Sequence, residues 1–399
     1  MRVTQMMLSQ SSLRHINNGY TNLGKIQDQL ATGKKITRAS QDPVVAMKGM
    51  RYRTQVTEIE QFKRNLGEVY NWMEAADAAL DQGTQALMRI RELATQAAND
   101  SNNKEERANI AKEIKQLREH LESLANTKNG NKYIFNGTDT TNAPIKGSET
   151  MDRGLNVLAE MNADQLQAMD VVYDGKMFKH VGINEDGQLI FQAVSQQEPA
   201  YGDDDFDERA VQLIIDLEGN EVSFSEPNKS FDPANPASQE VLRKNVRTSD
   251  VIVSNKNAVS TNGQNVEVEL IKGVSIPVNI NPGNVFNNGL FGDIIRLEKA
   301  LEDGSLSGSD MTGYIDNIFK HIDNFVAERA ELGARVNRVE MIETRLMHQE
   351  VTANRIMSDN EDADMEKVII DLMMQENVHR AALGAGARII QPSLMDFLR

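Results

Sequence analysis

The chain has 399 residues, a formal net charge of −16, 40% apolar and 5% aromatic residues, and a mean hydropathy of −0.48. That length allows two or three domains, and the low aromatic content suits elongated helices better than one large globule. The acidic balance argues against nonspecific nucleic-acid binding, which needs surplus Lys and Arg to neutralise phosphates. The absence of cysteine removes disulfides, thiol nucleophiles and thiolate metal ligands, and it fits an exported bacterial protein.

The first 20 residues, MRVTQMMLSQSSLRHINNGY, lack the continuous apolar core of a signal peptide, and no run approaches the ~20 apolar residues of a membrane span. Their periodicity is helical, with Met6, Leu13 and Tyr20 one heptad apart and Ile16, Leu23 and Leu30 completing the stripe. Gly33 ends this helix, and TGKKITRASQDP reads as a loop. Ser40 or Asp42 then caps a second helix, with Pro43 in its first turn.

That helix is expected to run to about Ala98, roughly 80 Å at 1.5 Å per residue. Its seam has Tyr52, Ile59, Leu66, Met73, Leu80, Leu87 and Ala94 at one heptad position. Gln55, Phe62, Val69, Ala76, Gly83, Ile90 and Ala97 fill the other. A third helix, carrying Ile110, Ile114, Leu117, Leu121 and Leu124, ends before Asn129-Gly130, and Tyr133-Ile134-Phe135 between Asn-Gly steps suggests a short hairpin.

Between residues 141 and 305 the long periods vanish and seven of the nine prolines occur. Short alternating runs such as KMFKHVGI, GQLIFQAV, VQLIIDL, EVSF, DVIVS and NVEVELIKGVSIPVNI predict an antiparallel β-rich insertion, although 211–217 also fits a short helix. Helical character returns at Asn287-Asn288-Gly289. A fourth long helix follows, with Phe325, Leu332, Val336 and Val339 placed to meet Leu66, Met73, Leu80 and Leu87 of the second. DNEDAD at 359–364 interrupts it and caps a last helix striped by Met365, Ile369, Leu372, His379, Leu383 and Ile390.

The expected fold is therefore α+β. A long antiparallel helical bundle built from both chain ends (43–140 and 306–356) carries an inserted antiparallel β-rich domain (141–305), and terminal helices (1–42 and 357–399) flank the bundle. Neither terminal segment contains a core able to bury its stripe. Such stripes need either each other or neighbouring subunits. The candidate assembly residues are Leu13, Ile16, Leu23, Leu30, Ile369, Leu372, Leu383 and Ile390.

Little in the chain points to chemistry. The six histidines are dispersed without HExxH or paired ligand spacing, and GxSxG, phosphate-loop and dinucleotide fingerprints are absent. The acidic run DDDFDE at 203–208 lacks the alternating ligands and central Gly of a calcium loop and reads as a solvated loop. Neither a catalytic site nor a metal or cofactor site is expected. A polysaccharide-acting enzyme would need paired carboxylates in a cleft, which no motif supports.

LATGKKITRASQDPVVAMKG at 30–49, ELGARVNRVEMIE at 331–343 and DADMEKVIIDLMMQENVHRAALGAGARIIQPSLMDFL at 362–398 resemble the corresponding segments of bacterial flagellins and hook-filament junction proteins. These motifs frame residues 1–140 and 310–399. MRVTQMM and LANTKNGNKYIFNGTDT lie closer to the junction proteins than to the filament subunit, which is the alternative reading. The resemblance implies an extracellular structural protein of the flagellum, exported without a cleaved signal peptide. Its implied partners are neighbouring copies of itself, a hook-side junction protein, flagellin and an export chaperone, with neither nucleic acid nor membrane insertion involved.

Overall fold

The computed structural model describes residues 5–99, 103–147, 150–194, 210–228, 231, 239–303 and 311–390; side chains of residues 5, 6, 8 and 388–390 are also outside the description. The chain divides into two compact units, one of residues 1–64 with 341–399, the other of residues 65–340. The expected division at 42, 140, 305 and 356 does not coincide with this one. Helices α2 (Pro43–Ala97) and α7 (Met311–Glu361) each contribute to both units.

The helix ends follow the sequence signals. Gly33 closes α1 (Gln5–Thr32) at φ +68°, donating to the Gln29 carbonyl. Asp42 caps α2, its Oδ1 accepting from the Val44 and Val45 amides at 3.0 and 3.1 Å. Asn103 and Glu106 form a reciprocal capping box on α3 (Lys104–Ala125). Asp364 accepts from the Lys367 amide at the start of α8 (Met365–Ile390).

In the second unit the apolar seam of α2 is closed. Leu66, Met73, Leu80, Leu87, Ile90 and Ala94 are buried, as are Phe325, Leu332 and Val339 of α7, with Val336 half-buried. The helices run antiparallel here. Arg329 bridges Asp77 and Asp81, the Phe325 ring lies over Gly83, and Arg91 stacks on Phe319. Gly83 has a packing reason, because a Cβ there would stand 2.5 Å from Phe325 Cε1.

After the two-residue hairpin β1 (Lys128–Asn129) and β2 (Lys132–Tyr133), the middle segment folds into a seven-stranded antiparallel sheet. Its strands are β3 (Met169–Tyr173), β4 (Lys176–Ile183), β5 (Leu189–Ala193), β6 (Gln212–Asp216), β7 (Glu221–Pro227), β8 (Val241–Val246) and β9 (Ile252–Asn255), in the order 8-7-6-5-4-3-9. A separate hairpin pairs β10 (Glu267–Ile271) with β11 (Val274–Pro277). The predicted alternating runs became strands, and 212–216 is a strand, its helical alternative overridden by pairing to β5 and β7. β3 and β8 were not read from the sequence. β3 is buried at every position and so lacks alternation, while β8 is an edge strand with mostly exposed side chains. Short helices α4 (Ala163–Leu166) and α5 (Pro282–Val285) complete the segment.

The insertion is less separable than its composition suggested. Helix α6 (Asn288–Asp303) packs on α3 with one side and on β3, β4 and β9 with the other. Gly292 lets it reach the sheet, since a Cβ there would meet Val172 at 2.7 Å. Arg118 of α3 donates through Nε to Glu298 of α6 at 2.8 Å and also pairs with Glu122, all three being largely buried. Asp293 of α6 receives the Gly175 amide, Arg296 and His321 of α7 at 3.2, 3.2 and 2.9 Å. An apolar sheet core around Val171, Phe178, Phe191, Leu213 and Phe224 is therefore joined to the helices by buried polar contacts.

Two outcomes are expected in urea unfolding. Arg118→Ala leaves Glu298 buried without its cation and should lower stability by about 3–5 kcal/mol. Gly83→Ala should cost about 1–3 kcal/mol through overpacking against Phe325, and Gly83→Ala with Phe325→Leu should recover part of it.

Candidate assembly surface

In the first unit α1 packs along α8. Small residues set the distance. The Ile16 side chain lies 3.2 Å from where a Cβ on Gly386 would stand, and His379 Nδ1 is equally near that of Gly19. Tyr20 meets the His379 ring edge-on at a centroid distance of 4.2 Å. Neither His379 ring nitrogen has a hydrogen-bond partner among the described residues, so this imidazole sits in the helix contact by packing alone.

The loop between α1 and α2 is tied to the α7–α8 junction. Lys35 donates its amide to the Glu361 carbonyl, and Ala363 donates to that of Gly33. Lys34 Nζ reaches Asp362 Oδ1 at 2.7 Å, and Arg53 Nη2 reaches Glu361 Oε2 at 2.7 Å. The hydrogen bond from Arg53 holds the Glu361 carboxyl below its ordinary value, and that from Lys34 does the same for Asp362. Hydrogen bonding to Asp362 in turn raises the Lys34 ammonium. Glu361 lies against Gly49, where any Cβ would come within 2.7 Å of Oε1. A cleft of about 220 Å³ opens beside the pair, lined by Ile36, Arg38, Val45, Met50 and Arg53.

The terminal pairing covers only part of the apolar surface. Ile16, Leu23, Leu30 and Leu372 are half-buried, whereas Leu13, Ile369 and Leu383 remain exposed. The side chain of Ile390 and the acidic run at 203–208 lie outside the described residues. Two contact residues stood outside or at the margin of the predicted set: Val368 is buried, and His379, read as part of the stripe, is buried too. The largest omission is the outward row Ile370, Met373, Met374 and Val378, exposed at 64, 61, 58 and 55%. The signal was present as the run VIIDLMM, which makes α8 apolar on more than one face, whereas the single-stripe reading assigned it one. Val44, Met47 and Met50 on α2 and Met341, Met347 and Val351 on α7 add to the exposed apolar surface of this unit.

Among the described residues no group of three or more His, Asp or Glu could hold a metal ion, and no helix is long and apolar enough to cross a membrane.

The Glu361 contacts have a pH signature. A carboxyl whose pKa is lowered on folding contributes stability above its unfolded pKa and loses it as pH falls through the folded one. Acidification below about pH 4.5, the ordinary Glu value, should therefore loosen the 33–36 loop from the α7–α8 junction. Protection of the Lys35 and Ala363 amides, relative to the intrinsic exchange rate at each pH, should fall there in the wild type. In Glu361→Gln it should be lower already at neutral pH and less dependent on acid.

Residues 3–140 match the family described as the bacterial flagellin N-terminal helical region. Over 186 residues the chain is 27% identical to flagellar hook-associated protein 3 of Escherichia coli K12, covering 46% of this chain and 59% of that protein. Over 245 residues it is 22% identical to the protein of the same name from Salmonella typhimurium LT2, covering 59% and 74%. The solved flagellar hook associated protein-3 of Legionella pneumophila aligns at 15% identity and a TM-score of 0.41, covering 78% of this chain and 98% of that one. The chain thus carries a region similar to the flagellin N-terminal helical region and is similar to two proteins named flagellar hook-associated protein 3, spanning 59% of the length of the first.

Proposed function

We propose that this chain is a structural, non-catalytic subunit of the bacterial flagellum that joins the hook side to the flagellin filament. The observation that carries the reading is the outward apolar row Ile370, Met373, Met374 and Val378 on α8, a helix whose other side already packs on α1. Burying one such side chain is worth about 1.5–3 kcal/mol, so a row of four supplies enough driving force to order and join subunits after the entropy of ordering is met. The partners are neighbouring copies of the chain, the first hook-associated junction protein on one side and flagellin on the other. An export chaperone covers the terminal stripes before assembly.

In this reading Leu66, Met73, Leu80, Leu87, Phe325, Leu332, Val336 and Val339 hold the subunit's helical framework. Leu13, Ile16, Leu23, Leu30, Ile369, Leu372, Leu383 and Ile390 belong to the terminal helices that assemble. The terminal segments serve as the assembly element, and the middle segment carries no contact essential to the junction.

The test exploits exposure. Ile370→Asp with Val378→Asp changes two side chains that are open in the free chain, so helicity and thermal unfolding should be unchanged. A charge buried in an apolar interface costs several kcal/mol unless paired, and the double variant should fail to support filament growth from isolated hooks. Normal growth with the folded variant would place these residues outside the assembly contact.

A further inference from the structure

A cleft of about 550 Å³ opens within the second unit, between the turn after β3, the edge strand β8 and the helices α6 and α7. That volume lies in the range of small-molecule sites. Arg296 of α6, 4% exposed, lines the cleft and lies against the rings of Tyr173 and Tyr314, 4.9 and 4.8 Å from their centroids. Its Nη1 donates to Asp293 at 3.2 Å, while its Nε has no hydrogen-bond partner among the described residues. A buried guanidinium with donors left over is costly in a closed core, and its planar fork matches a carboxylate.

The other lining groups set the kind of anion. Lys244 is exposed on β8 and has no ion-pair partner among the described residues. Arg247 and Asp250 pair at 3.2 Å, and the Tyr314 hydroxyl donates to Asp250 at 3.1 Å. Burial raises that hydroxyl to about 12, so it stays a donor at neutral pH. With Asp174, the lining holds three cations, Lys244, Arg247 and Arg296, and two carboxylates, a net charge of +1. A multiply charged inorganic anion is opposed by both carboxylates and fills little of the volume. A monoacid whose other polar atoms are hydroxyls avoids that opposition, because Asp174 accepts from hydroxyls and the Asn245 amide donates to them.

We propose that this cleft binds a sugar acid, a small polyhydroxylated ligand with a single carboxylate, which Arg296 and Lys244 hold at the carboxylate and Asp174 and Asn245 hold at the hydroxyls. The site lies wholly in the second unit, and it does not rest on the assembly reading. The experiment titrates the full-length chain calorimetrically with galacturonate, with galactose, which lacks the carboxylate, and with inorganic phosphate, which lacks the sugar hydroxyls. Galacturonate should bind with a dissociation constant of about a millimolar or below, and galactose and phosphate should bind at least tenfold more weakly. Lys244→Gln, at an exposed position, should weaken galacturonate binding at least fivefold.

Gly313→Leu fills the cleft while leaving its charges in place. Among the described residues a Cβ at Gly313 meets only Asp174 Oδ1, at 3.9 Å, which is ordinary contact on the lining itself. The variant should lose galacturonate binding while its thermal unfolding stays at or above that of the wild type, because Leu is a better helix former than Gly. No binding of galacturonate, equal binding of galactose or phosphate, or undiminished binding by Gly313→Leu would overturn the inference.

Discussion

An amphipathic helix must find cover for its apolar side, and in this protein the degree to which each helix finds it differs between the two units. Between Leu66 and Ala97 the α2 seam is closed, with Leu80, Leu87 and Ile90 essentially inaccessible. Residues of α7, more than 200 positions later in sequence, reach this stretch, where the Arg329–Asp77–Asp81 group and the Phe325–Gly83 contact register the pair. In the other unit the same two helices expose Met47, Met50, Met341 and Val351. Identical physical chemistry yields a buried core in one region and a row of exposed apolar side chains in the other.

The middle segment is coupled to the helices through polar as well as apolar contacts. Buried charges cost desolvation, so each one on α6 comes with a partner: Glu298 with Arg118, and Asp293 with Arg296 and His321. Such contacts favour one seating of α6 between α3 and the sheet. Gly292 and Val172 achieve the same end sterically. A segment that looks autonomous by composition thereby becomes part of the packing of the helical region it interrupts.

At the opposite extreme, α1 and α8 meet through small residues, the packed His379 ring and a long hydrogen bond from Gln375 to the Gly19 carbonyl. Gly19 and Gly386 allow close approach, and charge-assisted contacts of this unit gather at the loop where Lys34 and Arg53 grip Asp362 and Glu361. Such a design anchors the roots of the terminal helices by charge-assisted hydrogen bonds while leaving apolar side chains available along their length.

The sequence by itself determined the local structure: the helices from their heptad spacing, ends of three of them from Gly33, Asp42 and Asp364, and most strands from two-residue alternation. These signals are legible because they depend on neighbours within a turn or a strand. It also identified the terminal stripes and the flagellar resemblance, which lie in contiguous motifs. Tertiary structure alone decided what covers each stripe. It paired α1 with α8, seated α6 between α3 and the sheet, built β3 and the edge strand β8, and left Ile370, Met373, Met374 and Val378 outward on a helix apolar on more than one side. Burial depends on which distant segment arrives at a face, and periodicity along one segment carries no record of that.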